Sequence, residues 1–172
     1  GVGVVAGTLG RLAPEKNLRV IAVMARQCPG VVFVIGGSGP EGKALREAAA
    51  GLDNVRFAGE VTDRAGYYAA LDVLLLPSLH EALPMTVLEA MAAGVPVIAS
   101  NLDGVAAALG EYGLLVPPGD SEAMAAALLA LQVDPARRTA LAAGARKRAE
   151  SDFSAASTAS KVEAIYRELT VH

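Results

Sequence analysis

The 172-residue sequence has one cysteine, Cys28, no tryptophan, two histidines and only 4% aromatic residues. A lone cysteine excludes an intramolecular disulfide and any cysteine-rich zinc site, and two histidines add few ligands. A reducing, cytoplasmic setting is the expectation. Charge of one sign is also lacking: 15 basic against 18 acidic residues leave a formal net charge of −3. No net basic field exists to draw in nucleic acid. Long apolar runs are missing too. An uncharged stretch such as Cys28 to Pro40 is broken by proline and glycine, and falls short of the ~18 residues of a membrane span. No basic segment precedes an apolar one at the start, so no signal peptide is expected. The chain opens on Gly1 and enters an apolar run at once, which reads as a piece of a longer protein. What is plentiful is apolar content, 53% against 19% charged residues. That composition excludes disorder and supports one core spanning residues 1–172.

Short apolar runs alternate with helical patterns. Strands are expected at Val2–Ala6, Val31–Ile35, Asn54–Ala58, Asp72–Leu76, Val95–Ala99 and Gly113–Val116. Helices are expected at Glu15–Gln27, Glu41–Ala50, Asp63–Leu71 with Thr62 as cap, and Met85–Ala93 stopped by Gly94. The stretch after Ala99 is weakly patterned. From Asp120 the chain reads as helical to its end, with caps at Asp120, Asp134 and Ser154. The last helix would carry Val162, Ile165, Tyr166 and Leu169, and Arg137–Glu150 reads as a solvated face. Repeated strand–helix units mean an α/β fold: a Rossmann-like parallel sheet of about six strands, helices on both faces, and a helical tail. Ligands of such sheets sit beyond the carboxyl ends of the strands, so the chemistry belongs in the loops there.

The loop after the first strand contains Gly7, Gly10, Arg11 and Lys16. Two cations before and at a helix start are locally unfavourable, and a bound anion would offset that. The loop after the second strand, Gly37-x-Gly39-x-x-Gly42, matches a dinucleotide fingerprint, with Glu60 where a ribose-binding acid would stand. Pro40 removes one amide from that loop and also reads as a first helical residue. The loop after the third strand, Gly59-Glu60-Val61-Thr62, offers backbone groups to a flat base or is a plain turn. The loop after the fourth strand carries Glu81, with Glu89 eight residues on inside a helix. At ~1.5 Å per residue their backbones lie up to ~12 Å apart. That exceeds the spacing of a glycosidase carboxylate pair, which excludes two-carboxylate hydrolysis. The spacing suits two parts of one long ligand, with phosphate at the helix start, Glu81 at a sugar and Glu89 at a ribose. The plainer reading makes Glu81 a helix cap and pairs Glu89 with a nearby Arg or Lys, since a buried carboxylate needs a partner. His80 reads as a surface or core histidine rather than a base. No Asp-x-Asp pair is present to hold a metal at a diphosphate.

Taken together, Gly10-Arg11-Leu12 with Glu15-Lys16, Gly36-Gly37-Ser38-Gly39-Pro40-Glu41, Asn54-Val55-Arg56-Phe57-Ala58-Gly59, Pro77-Ser78 through Glu81 to Glu89 and Val97, and Gly113 to Asp120 resemble five motifs in their usual order. The sequence resembles the donor-binding, C-terminal half of the GT-B glycosyltransferases of family 4, or group 1. The resemblance implies retaining transfer from a nucleotide-diphosphate-sugar, UDP- or GDP-linked, with no metal and no cofactor. It implies that Arg11 and Lys16 bind the diphosphate and steady the leaving nucleotide. Glu81 would contact the transferred sugar and Glu89 the ribose. The backbone of Gly59 to Val61 would meet the base, and Gly10 and Leu83 would line the donor.

Three departures accompany the resemblance. Ala82-Leu83-Pro84 replaces the usual glycines or aromatic, and Pro84 has no amide for phosphate. Asn101 to Ala107 lacks the usual Pro-Glu, which bears on structure rather than donor binding. The N-terminal acceptor domain is absent from this sequence, so the isolated half is expected to bind donor weakly and transfer nothing. A full-length enzyme could still sit at a membrane. Two other readings stand beside this one: a dinucleotide-binding oxidoreductase half, which needs Glu60, and a non-catalytic nucleotide-sugar module. An epimerase of the same fold is a minor third.

Overall fold

The computed structural model describes residues 3–170, with the side chains at 158, 161, 164, 165 and 168–170 outside that description. Six parallel strands form one sheet: β1 (Val4–Leu9), β2 (Val31–Gly36), β3 (Val55–Gly59), β4 (Val73–Leu76), β5 (Val97–Ser100) and β6 (Leu114–Val116). Their order is β3-β2-β1-β4-β5-β6. The chain runs outward one way from β1 and then returns to β4, so β1 and β4 are neighbours whose outgoing loops diverge. This is the switch point at which such sheets open a ligand crevice.

The helices are α1 (Arg19–Gln27), α2 (Gly42–Ala48), α3 (Arg64–Ala69), α4 (Met85–Ala93), α5 (Asp103–Leu109), α6 (Ser121–Val133), α7 (Pro135–Asp152) and α8 (Ala155–Thr170). They divide into two layers because successive strand residues face opposite ways. Val73, Leu75 and Ile98 point into the layer of α1, α2 and α6, where they meet Ile21, Met24, Leu45 and Leu128. Leu74, Leu76, Val97 and Ala99 point into the layer of α3, α4, α5 and α7, where they meet Tyr68, Val87, Met91 and Leu109. Both strand faces are covered, which is why these strands read as continuous apolar runs.

Several local expectations need correction. Glu15–Gln27 is not one helix. Pro14–Lys16 forms a short 3-10 turn, Asn17 turns left-handed with φ 50°, and α1 begins at Arg19. Asn tolerates that conformation better than most residues. Lys16 therefore ends a turn rather than starting a helix, and the helix-start repulsion expected of it does not arise. The cap of α3 is Asp63, whose carboxylate accepts from Gly66 N at 2.9 Å, and not Thr62. Pro40 lies two residues before α2, in a turn closed by the Gly42 N–H on the Gly39 carbonyl. The weakly patterned stretch holds α5, which buries Val105, Ala108 and Leu109. The caps at Asp120, Asp134 and Ser154 form as expected.

The Arg137–Glu150 segment is only partly a solvated face. Ala145 and Ala149 of α7 are buried in the layer with α4, while Arg148 donates to the Ala107 and Ala108 carbonyls at the end of α5. Small residues let α7 lie close, while Arg137 and Arg146 take the outer side. On α8, Val162 and Tyr166 are exposed. Val2 lies outside the described residues, as do the side chains of Ile165 and Leu169.

Candidate functional site

At the carboxyl end of the sheet, the switch point brings two loops together. Leu79 N–H, after β4, donates to the Glu15 carbonyl after β1 at 2.8 Å. That bond seats the two loops against each other. Lys16 Nζ donates to Glu81 Oε1 at 2.5 Å, and buried Ser78 donates its hydroxyl to the same oxygen at 2.9 Å. The Lys16 side chain is 25% exposed and that of Glu81 is 10% exposed, so both line the surface without being freely solvated. Around them opens a cleft of about 560 Å³ bordered by Glu15, Lys16, His80, Glu81 and Asp103. Glu81 does not cap α4; its oxygen is committed to Lys16 and Ser78.

Pro84 is the residue that precedes the first turn of α4, and no side chain caps that helix. The missing amide of Pro84 therefore removes nothing from the helix start, whose amides begin at Met85. An uncapped helix N-terminus of this kind suits an anion. Leu83 and Met85 flank Pro84 and are exposed, 49% and 60%. Gly104, at the start of α5, lies under this loop. A Cβ there would stand 1.3 Å from the Ala82 carbonyl oxygen. Only glycine allows α5 to support the loop so closely.

Glu89 points from α4 toward α3. Its carboxylate takes the Arg64 guanidinium through Nε at 3.1 Å to each oxygen and through an Nη2 contact to Oε2. Tyr68 adds its hydroxyl to Oε2 at 2.6 Å. Glu89 thus has the arginine partner its semi-buried position called for. The hydrogen bond to Glu89 raises the Arg64 pKa, against an opposing pull from desolvation. Burial first, and the Glu89 hydrogen bond second, push the Tyr68 phenol up. Neighbouring Tyr67 is raised by burial and donates its hydroxyl to the Thr8 and Val34 carbonyls at 2.6 and 3.0 Å.

A second depression of about 260 Å³ is bordered by Gly10, Arg11, Glu60, Val61 and Arg64. Gly59 ends β3 and directly precedes Glu60 and Val61 of its lining. Arg11 is exposed and has no ion pair among the described residues. The fold therefore places Gly10, Arg11, Lys16, Gly59, Val61, Glu81, Leu83 and Glu89 at one end of the sheet, on the loops after β1, β3 and β4 and on α4. Arg64, Tyr68 and Ser78 join them and were missed by sequence reading. The demand for a partner to Glu89 was the available signal for Arg64. Nothing local marked Tyr68, an aromatic in a short helix.

The glycines of the loop after β2 serve the fold. A Cβ on Gly37 would lie 1.8 Å from the Gly10 carbonyl oxygen. The amides of Gly37, Glu41 and Gly42 donate to the carbonyls of Gly59, Leu12 and Gly39. The first two tie neighbouring loops and the third closes this loop's own turn, so these amides do not face a pyrophosphate. Among the described residues, no group of three His, Cys, Asp or Glu side chains is arranged to hold a metal ion. No described helix is long and apolar enough to cross a membrane.

Comparisons with known proteins bear on the fold and the family. The chain is 41% identical over 133 residues to the 2-deoxystreptamine N-acetyl-D-glucosaminyltransferase of Streptomyces fradiae, covering 70% of this chain and 32% of that protein. It is 40% identical over 174 residues to the phosphatidyl-myo-inositol mannosyltransferase of Mycobacterium leprae, covering 92% of this chain and 45% of that one. Its fold matches Anabaena HepE, solved in complex with UDP, at a TM-score of 0.90 and 24% identity over 97% of this chain and 49% of that one. The chain thus spans between about a third and a half of these proteins. The family model described as glycosyl transferases group 1 matches residues 3–134. With that match over most of its length, the chain belongs to the group 1 glycosyl transferases.

Proposed function

We propose that this chain is the donor-binding half of a retaining, metal-independent glycosyltransferase that takes its sugar from a nucleotide-diphosphate-sugar. The observation that carries the reading is the Lys16–Glu81 pair across the switch point. A cation for a diphosphate and a carboxylate for a sugar stand side by side at the lip of a cleft, next to an uncapped helix start. In this reading Arg11 and Lys16 bind the two phosphates. As the bond from the anomeric carbon to the diphosphate breaks, charge builds on the leaving oxygens, and the two cations stabilise it. Glu81 orients the sugar near that carbon. Glu89 accepts from the ribose, Gly59 to Val61 flank the base, and Gly10 and Leu83 line the donor.

The acceptor would be held by an N-terminal domain outside this sequence, which closes over the same cleft. The 172-residue chain alone would then bind donor weakly and transfer nothing. The donor in this reading is UDP- or GDP-linked and used without a cofactor; that Anabaena HepE, of the same fold, was solved with UDP and with UDP-glucose supports the UDP form. The exposed Leu79, Leu83 and Met85 at the cleft rim support a second domain closing there, since apolar groups at a rim mark a contact surface.

The test is a metal-free titration of the chain with UDP, GDP, ADP and NAD, alongside Glu89→Ala and Lys16→Ala. One nucleoside diphosphate should bind, and both variants should weaken it. Unchanged binding in both variants would remove the reading. Binding of NAD that ignores Glu89 would favour the dinucleotide alternative, although the spent amides of the loop after β2 weigh against it.

A further inference from the structure

Glu60 borders the second depression, is exposed, and makes no ion pair or side-chain hydrogen bond among the described residues. It follows Gly59, whose φ of 69° turns the chain out of β3. In the sequence it stands where the ribose acid of a dinucleotide site would be, but the amides such a site needs are engaged in other bonds. Its carboxylate is therefore unassigned. The lining around it includes apolar Leu9 and Val61 and the glycines Gly10 and Gly37. A flat ring suits such a lining, because glycine lets a ligand approach the backbone closely and apolar side chains can cover a ring face. Of the other charged side chains on this lining, Arg64 is committed to Glu89 and Arg11 is read as a phosphate contact. Glu60 is left to meet the edge of the ring.

We propose that Glu60 is the specificity-determining residue for the nucleobase and that it selects guanine. This rests on the reading of Gly59 to Val61 as the base contact, and adds to it which base is taken and by which side chain. An ionised carboxylate only accepts hydrogen bonds. Guanine offers it two neighbouring donors, N1–H and the N2 amino group, which match the two carboxylate oxygens in a bidentate pair. Uracil has a single N3–H between two carbonyls, so the second carboxylate oxygen would face O2 or O4. Adenine sets its amino group beside N1, a bare acceptor, and meets the same repulsion. A site built for two donors rejects bases that lack one of them. The donor is then the GDP-linked form. HepE, at 24% identity, was solved with UDP; that likeness is one of fold, and the choice of base falls to a side chain beside the ring.

The rival account makes Glu60 a solvated carboxylate that only offsets the charge of Arg11 and Arg64 in the depression. Its removal would then strengthen every anionic ligand alike and leave any base preference unchanged. The experiment must therefore read discrimination between bases. The chain, Glu60→Gln and Glu60→Ala are titrated without metal against GDP, IDP, UDP, ADP and pyrophosphate. IDP carries hypoxanthine, which keeps N1–H and lacks the N2 amino group. The parent should bind GDP about tenfold or more tighter than UDP or ADP, as expected for one bidentate base contact, with IDP in between. In Glu60→Gln one oxygen is replaced by an NH₂ donor that would oppose a donor of guanine. Both variants should bring GDP down to the level of UDP, with pyrophosphate binding little changed. Glu60 is exposed, so melting curves of the variants should match the parent's.

A parent that binds UDP or ADP in preference to GDP overturns the inference while the base reading stands. A GDP preference that survives in both variants also overturns it, as does an equal gain for all ligands, pyrophosphate included. If no nucleoside diphosphate binds, or if Lys16→Ala and Glu89→Ala both leave nucleotide binding unchanged, the reading of the site itself fails and takes the inference with it.

Discussion

Lys16 and Glu81 are 65 positions apart in the chain and 2.5 Å apart in the fold, and each satisfies the other while the cleft is open. A donor must share or replace that contact, with phosphate taking the lysine and sugar taking the carboxylate. Removing the Glu81 charge should leave Lys16 free for phosphate. Glu81→Gln is therefore expected to bind the nucleoside diphosphate as tightly as the parent or a few-fold tighter, measured by titration. In a full-length enzyme the same change should abolish sugar transfer. Weaker diphosphate binding in Glu81→Gln would contradict the assignment of Lys16 to the phosphates.

Glu89→Ala should weaken binding of the nucleoside diphosphate by roughly 1.5–3 kcal/mol, the range for a hydrogen bond to a charged group. Its effect on folding has two parts: the solvent-accessible pair with Arg64 contributes about 0–1 kcal/mol, and loss of the acceptor for the buried Tyr68 hydroxyl costs about 1–3 kcal/mol. Thermal unfolding with and without nucleotide separates the two effects.

Gly104→Ala is a test of the support beneath the site. The added methyl would collide with the Ala82 carbonyl, and α5 is anchored by buried Val105, Ala108 and Leu109 and cannot simply retreat. Overpacking of this kind costs about 1–3 kcal/mol. The loop from Leu79 to Pro84 should shift, lowering nucleotide affinity although Gly104 carries no side chain to contact a ligand. A variant that keeps both stability and affinity would show that the loop adjusts freely.

Asp63→Ala should cost about 1 kcal/mol through loss of the α3 cap, which lowers Tm by about 2–4 °C in a chain of this size. Thr62→Ala should leave Tm nearly unchanged. The pair of melting curves decides between the two cap assignments.

Cys28 is buried and its thiol is pushed up by desolvation. A raised folded pKa favours the neutral thiol, so this contribution to stability is complete below the unfolded pKa of about 8.5 and declines as pH rises above it. Alkylation at mildly alkaline pH should be slow in the native chain and fast in denaturant. Fast native labelling would mean that the layer of α1 and α2 opens readily.

Much of the architecture was legible in the residues. Val31 to Ile35 is apolar without alternation, which marks a strand covered on both faces, and Gly94 ends α4 where expected. The misreadings came from local alternatives. Asn17 adopts a left-handed turn that splits one expected helix into a 3-10 turn and α1, and helical spacing does not reveal this. Asp63 and Thr62 are both acceptable caps, and the decision fell to the residue whose carboxylate reaches the Gly66 amide. The alanines of α7 looked solvated because small residues carry little hydropathy signal, yet Ala145 and Ala149 pack in one layer with α4.

By itself the sequence determined the alternation of strands and helices, the parallel sheet, and the cations and carboxylates in the loops at its carboxyl end. Those features follow from short-range physics: apolar period, turn chemistry, and which residue types can meet a phosphate or a sugar. Only the tertiary structure decided that β1 lies beside β4, that Lys16 therefore meets Glu81, and that Arg64 and Tyr68 close on Glu89. Contacts across 65, 25 and 21 positions depend on strand order and helix layering. Both arise from burying two apolar faces at once, and no window of neighbouring residues contains that information.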